Sequence, residues 1–361
     1  MHQQARLLGR PWGVRERFDG PPCATLTKWL RNHCVIWRKT PVGKLKTEHF
    51  QLVPGMRGLL CAAGIPPALK EVPMEFRHIL FPVDFSPRCY AAVPHVKVAA
   101  ERFGADITLL HVLEAVPMWA AAGDGAFVPD ADLSELQADA VSRLTDFAAS
   151  GFPGLRPACV VEQNEAGQAI VRRAQSSGAD LIMMPTHGHG VFRSMLLGST
   201  TSKVLHDATP AVWTAAHLED TPTPQHTAWK NIVCAVDLVP ESVQLIRMAA
   251  QLAGKDGGRA SIVHSVPGTE VRPDMYFDMT LENYLKDFAS VEIAKMQAEA
   301  GTDFPVCLEI GNVSNVVAAA ATQNNADLVL IGRGVIHEFA GRLRTHAYAI
   351  IRDSPCPVLS I

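Results

Sequence analysis

No apolar run in this chain reaches the roughly 18–20 residues that a membrane-crossing helix needs. Paired cysteines are missing as well: the eight cysteines stand singly, with no C-x-x-C, which argues against a zinc ribbon and a redox dithiol. Isolated cysteines in a long chain act as small apolar residues in a reducing compartment, so a cytoplasmic protein is expected. The opening stretch MHQQARLLGRPWGVRERFDG carries charges and no apolar core, so it does not read as a secretory signal. The G-x-x-x-x-G-K-[ST] of a P-loop ATPase is absent, and so is the G-x-S-x-G elbow of a serine hydrolase. GHGVFR fails G-x-G-x-x-G at its last position. A net charge of -3 gives no overall pull toward nucleic acid or a membrane surface.

What the chain does have is length and apolar content. Its 361 residues, 48% hydrophobic, suffice for two domains of ordinary size and an extra segment. The charge is unevenly spread. Residues 1–75 hold 12 Lys+Arg against 5 Asp+Glu, and the remainder holds 21 against 31. This first segment shows neither a strand nor a helix period and is rich in Pro, Gly and Trp. It reads as a basic, poorly ordered extension, with a basic arm for nucleic acid or an acidic partner as the alternative. Met74, just before the first patterned residue, reads as an alternative start.

From Phe76 onward the chain repeats itself. FRHILFPVDFSP (76–87) matches KNIVCAVDLVPES (230–242), and ADITLLHVLEAVP (105–117) matches GRASIVHSVPG (258–268). Asp84 and Asp237 are 153 residues apart, as are His111 and His264. SGADLIMMPTHG (177–188) answers NNADLVLIGRGV (324–335), and KVLHDATPAVWT (203–214) answers AIIRDSPCPVLSI (349–361). Such self-similarity means two copies of one domain. They are expected at 76–216 and 230–361, with the polar, proline-bearing 217–229 as linker.

Each copy alternates short Val/Ile/Leu runs with stretches of helical spacing. In the first, strands are expected near 78–84, 106–112, 157–162, 180–185 and 210–214. Near-continuous apolar strands must be covered on both faces, which implies an α/β fold of two doubly wound, Rossmann-like parallel-sheet domains in tandem.

In such sheets ligands bind beyond the carboxyl ends of the strands. Asp84 stands at one such end and PTHGHG, straight after DLIMM, at another. GST then opens a helix from about Ser199. A helix start presents unpaired N–H groups and a positive dipole end, here with the hydroxyls of Ser199, Thr200 and Thr201. Gly188 and Gly198, lacking Cβ, admit close approach of an anion. The combination suggests a nucleotide site, although Ser199 or Thr200 taken alone would serve as a helix N-cap, and Asp84 would cap the helix near Ser86-Pro87.

ILFPVDFSP, LLHVLE, GADLIMMPTHGHG, the nine residues from His189 to Leu197, then GST and TPAVW together resemble a universal stress protein domain. The resemblance covers about 76–361. It implies an adenine nucleotide as ligand, ATP or a relative, with Mg2+ as an optional companion. Pro82, Val83 and Asp84 would then lie near the base and ribose, and Val112 would line the adenine pocket. Met184, Pro185, His187 and Gly188 would form the first half of the loop; Gly198, Ser199, Thr200 and Thr201 would hold phosphates. Pro185 stands where the family's motif has its first glycine, and it removes one backbone donor. The second copy has Gly332 there, but Val335 replaces the next glycine, and Arg344-Thr345 or Thr345-His346 replaces the Gly-Ser pair.

The resulting expectation is a tandem universal stress protein: a stress-response, regulatory binding module without a catalytic residue or a metal site. Its first domain is the nucleotide site and its second a degenerate copy kept for pairing. The last strands, PAVWTAA and PCPVLSI, would satisfy each other's open edges within one chain, and two chains would pair further. Two rival readings stay open: slow ATP hydrolysis at the same loop, and a nucleotide-free interaction protein in which Pro185 closes the pocket. His187 and His189 lack a third ligand in sequence reach for a metal. Arg193 lies between the halves of the loop, where a phosphate or a carboxylate is its alternative partner.

Overall fold

The inner strands of the repeat are short and apolar on both faces, and each of the first four strands of a copy is followed by a helix that packs on the sheet. The computed structural model describes residues 75–114, 130–187, 197–218, 227, 229–254, 257–267, 279–333 and 341–361, together with an antiparallel pair of two-residue strands, β1 (Arg38–Lys39) and β2 (Leu45–Lys46). The chain divides into two compact units, Met1–Ala68 and Leu69–Ile361. The expected poorly ordered extension, 1–75, lies outside the described residues apart from that strand pair and Glu75.

The first copy runs β3 (His78–Pro82), α1 (Pro87–Phe103), β4 (Asp106–Leu113), α2 (Asp130–Gly151), β5 (Ala158–Gln163), α3 (Ala166–Ser177), β6 (Leu181–Pro185), α4 (Ser199–Asp207), β7 (Ala211–Ala215). The second repeats the order: β8 (Asn231–Ala235), α5 (Ser242–Gly254), β9 (Arg259–Val266), α6 (Met279–Ala300), β10 (Val306–Ile310), α7 (Val313–Gln323), β11 (Leu328–Ile331), α8 (Gly341–Asp353), β12 (Val358–Ser360). Local chemistry sets the boundaries. Ser86 caps α1 by accepting from the Cys89 amide at 3.2 Å, Pro87 starts the helix, and Gly104 ends it at φ 62°. Glu165 caps α3 by accepting from the Gly167 and Gln168 amides.

Alternation along the strands sorts the side chains onto two faces. Ile79, Phe81, Leu109, Leu181, Met183 and Trp213 pack with α1 and α2. Leu80, Leu110, Ile182, Met184 and Val212 pack with α3 and α4 on the other face. Side chains as fully buried as Phe81 and Leu80 each contribute about 1.5–3 kcal/mol from removal of apolar surface from water.

The ten strands of the two copies form one sheet in the order β10-β9-β8-β11-β12-β7-β6-β3-β4-β5. Every neighbouring pair is parallel except β12–β7, which is antiparallel with Leu359 opposite Trp213. Within each copy the order reverses beside the first strand, between β3 and β6 in one and between β8 and β11 in the other. That reversal opens a crevice at the carboxyl ends.

The repeat extends to individual hydrogen bonds. The Asp180 carboxylate accepts from the amides of Arg77 (2.8 Å) and His78 (3.1 Å), tying the start of β6 to the start of β3. Asp327 does the same for Lys230 (2.9 Å) and Asn231 (3.0 Å). Nδ1 of His111 lies 2.7 Å from the Val83 carbonyl, and Nδ1 of His264 lies 2.8 Å from that of Val236.

Candidate functional site

The strand order reverses between β3 and β6, and both chain segments expected to touch a ligand leave the sheet there. Pro82 closes β3, with Val83 and Asp84 directly after it. Asp84 Oδ1 accepts from the Ser86 amide at 2.9 Å, so the carboxylate is held by the turn while Ser86 itself caps α1. The residue between them, Phe85, has φ 58°. This left-handed backbone is uncommon for a bulky residue and lies in the four-residue turn, 83–86, that takes the chain from strand into helix. Its ring is held between His111, 4.7 Å away, and the Arg143 guanidinium, 4.4 Å from its centroid. Below the turn, the Cys89 thiol is pushed up to about 12 by burial and, less, by the charge of Asp84.

Val112 and Met184 lie on the sheet face that carries α3 and α4. Met184 and Pro185 end β6 and are buried. Pro185 loses only its amide as a bonding group. Its carbonyl accepts from Thr201 Oγ1 at 3.3 Å, and the ladder to β7 resumes one residue later, from the Thr186 amide to the Ala215 carbonyl at 3.1 Å. His187, half-buried, has Nδ1 3.0 Å from the Thr186 hydroxyl. Gly188, His189 and Arg193 lie outside the described residues.

The second half of the site is the start of α4. Gly198 is its N-cap, at φ -57° and ψ 148°, and no side chain caps the helix there. Glycine is favoured at this point by space rather than by φ: a Cβ would stand a tight 3.1 Å from the Thr186 carbonyl oxygen, which already accepts the Gly198 amide at 3.0 Å. Ser199 is exposed and Thr200 half-buried. Thr201 is placed otherwise than expected. It is 2% exposed, and its hydroxyl donates to the Pro185 and Thr186 carbonyls. A hydroxyl has one proton, so this side chain fastens α4 to β6 and has none left for a phosphate oxygen.

The result is a helix start with a positive dipole end and no side-chain cap, one strand away from a carboxylate. The first suits an anion and the second suits sugar hydroxyls. Such groups fit a nucleotide. In the second copy the corresponding helix begins at Gly341, so Arg344 and Thr345 sit about one turn inside α8, where backbone amides are already used by the helix. Side-chain detail at Arg344 and Thr345 lies outside the described residues. No group of three His, Cys, Asp or Glu side chains that could hold a metal ion occurs among the described residues. A cavity of about 500 Å3, lined by Ala253, Gly258, Arg259, Thr302, Asp303 and Phe304, opens at the opposite, amino end of β9 and β10, away from the loops.

Sequence reasoning missed Phe85 and Arg333. Nothing in PVDFSP marks a left-handed phenylalanine. Arg333, the counterpart of Thr186, was legible only as a mismatch between the copies. Its guanidinium reaches the Ala208 (2.6 Å), Thr209 (3.1 Å) and Pro210 carbonyls of the first copy.

Comparison with known proteins agrees with this architecture. A universal stress protein from Thermus aquaticus is 32% identical over 133 residues, 37% of this chain and 93% of that protein. Universal stress protein A homolog 1 of Coxiella burnetii is 28% identical over 138 residues, 37% of this chain and 96% of its own. The crystal structure of a universal stress protein from Archaeoglobus fulgidus matches with a TM-score of 0.58 at 19% identity, covering 80% of this chain and 97% of that one. The model of the universal stress protein family matches twice, at residues 75–215 and 228–361, and the chain therefore belongs to that family as a tandem of two such domains.

Proposed function

We propose that this protein is a cytoplasmic regulatory module of the stress response that binds one adenine nucleotide per chain, in its first domain, and does not turn it over. The observation that carries the reading is the start of α4, uncapped by any side chain and fixed to the end of β6 through Gly198 and Thr201, beside the turn that holds Asp84. Phosphates take the amides of Ser199 and Thr200, and the ribose takes Asp84. Val112 and Met184 offer apolar surface to the base. Mg2+ accompanies the phosphates where they are three.

A universal stress protein has been solved in complex with cAMP; that is a fact about that protein. For this chain the test is calorimetric titration with ATP, ADP, AMP and cAMP. One site per chain is expected. Gly198→Glu should abolish it, since a side chain would press on the Thr186 carbonyl and a carboxylate would stand at the phosphate position. Two equal sites would refute the asymmetry. No heat with any nucleotide would leave a nucleotide-free pairing module, and Mg-ATP turnover above the Gly198→Glu background would make the protein a slow ATPase. Pairing of β7 with β12 inside the chain, and of two chains with each other, belongs to the same reading.

A further inference from the structure

The helix that carries the proposed phosphate site has nine residues, about two and a half turns. A helix of that length is not stable alone and takes its position from what holds it. Its first turn is tied to β6 of its own copy, by the Gly198 amide to the Thr186 carbonyl and by the Thr201 hydroxyl. Its buried side chains, Val204 and Leu205, pack with Ile170 and Ala174 of its own copy, and its middle and far end also receive hydrogen bonds from the other copy. The Tyr348 hydroxyl, on α8, donates to the Ser202 carbonyl at 3.2 Å. Arg333, at the end of β11, donates to the carbonyls of Ala208, Thr209 and Pro210, where the chain leaves α4 for β7. The Arg333 backbone is itself anchored, its amide donating to the Ile361 carbonyl at 2.7 Å beside β12.

The position of Arg333 in the repeat gives this meaning. In the first copy the same place is Thr186, whose amide makes the matching bond to Ala215 and whose carbonyl seats Gly198. The second copy keeps Gly332 but lacks the two later glycines of the ligand loop, and it carries at the loop's first turn a side chain long enough to cross to its neighbour. A planar fork of five donors suits three convergent carbonyls, and a cation suits the negative end of the α4 dipole.

We propose that Arg333 of the second copy is a positioning residue for the nucleotide-binding helix of the first, fixing where Ser199 and Thr200 stand over the β3–β6 crevice. The degenerate copy thus completes the binding site from behind rather than holding a ligand of its own. The proposal rests on the nucleotide reading above. Burial pulls the Arg333 guanidinium down only to about 10, so it stays charged at neutral pH.

Arg102 supplies the control. It also crosses between the copies, donating to the Trp229 (3.4 Å) and Leu252 carbonyls, but on the opposite face of the sheet, through α1 and α5. The experiment titrates ADP into the full-length wild type, Arg333→Met and Arg102→Met, and measures hydrogen exchange of each without nucleotide. Arg333→Met should weaken ADP binding at least tenfold and speed exchange at the α4 amides from Ser202 to Asp207. Arg102→Met should leave ADP binding within twofold and α4 exchange as in the wild type. Should Arg333→Met not fold, Arg333→Lys, which keeps the charge and loses the fork, replaces it with the same pattern expected. Equal weakening by both variants would show general loosening and overturn the proposal, as would unchanged binding in the Arg333 variant. A wild type that binds no nucleotide defeats the nucleotide reading itself. Exchange then decides the mechanical claim alone: faster α4 exchange only in the Arg333 variant upholds the support of α4, and equal exchange ends it.

Discussion

Thr201 and Asp84 each have a structural partner, and the partner decides what a substitution reports. The Thr201 hydroxyl satisfies two buried carbonyls at the end of β6. Thr201→Val keeps the shape and removes the donor, so it should cost about 1–3 kcal/mol in a denaturant titration, with Thr201→Ser close to wild type. Asp84 has one oxygen on the Ser86 amide. Asp84→Ala should weaken nucleotide binding by about 1.5–3 kcal/mol, the size of a hydrogen bond to a charged group. Asp84→Asn separates the two roles: it keeps an acceptor for Ser86 and loses the charge, so its melting temperature should match wild type while its affinity does not. Cys89 and Cys234 are buried and behave as apolar filler. Burial raises the thiol of Cys89 to about 12 and moves that of Cys234 in the same direction, whereas Cys159 is exposed. Maleimide labelling of the native protein, read peptide by peptide, should mark Cys159 at least tenfold faster than Cys89 or Cys234.

The elements follow from the sequence because their causes are local. HILFP and LIMMP read as buried strands since both faces are covered, and the helices follow from period and from Ser86-Pro87 or Glu165 at their starts. What was not legible depends on distant partners. Asp180 reads as a polar first residue of a strand, yet its carboxylate serves amides 103 and 102 residues earlier in the chain. Asp180→Ala leaves two amides at the start of β3 without that acceptor and should lower stability by about 1–3 kcal/mol, a shift of several degrees in a melting curve. Asp327→Ala should do the same in the second copy, because the geometry repeats. The three hydroxyls of GSTT, at Ser199, Thr200 and Thr201, read as equivalent in the sequence. Packing made them unequal: Ser199 faces solvent, Thr200 is half-buried, and Thr201 turns inward because the helix must be fastened somewhere. The two halves of the candidate site were visible as motifs, and their common crevice followed from the strand order. The early start of α8 was not visible, since a deletion of one residue does not show where a helix begins.

Taken whole, the unit from Leu69 to Ile361 is organised around one antiparallel contact in an otherwise parallel sheet. β7 faces β12 over three residue pairs, with side chains reinforcing the ladder: the Thr214 hydroxyl donates to the Val358 carbonyl at 3.4 Å, and the Ser360 hydroxyl to the Val212 carbonyl at 3.1 Å. Trp213 at the centre is fully buried. The first copy alone, residues 75–218, would carry β7 as a bare edge, with unpaired amides and carbonyls along a strand whose five residues are all buried in the full chain. Such an edge is a template for another chain. Antiparallel pairing through a two-fold axis offers the same contact to two identical copies, because β7 can lie against a second β7 as it does against β12. The separated first copy should therefore dimerise or aggregate as its concentration rises, while the same fragment with Trp213→Lys, which places a charge at the centre of the contact, should not dimerise if it folds. Light scattering behind size exclusion over a hundredfold concentration range measures this. A stable monomer of the unaltered fragment throughout that range would mean that β7 tolerates solvent as a bare edge, and would overturn the prediction.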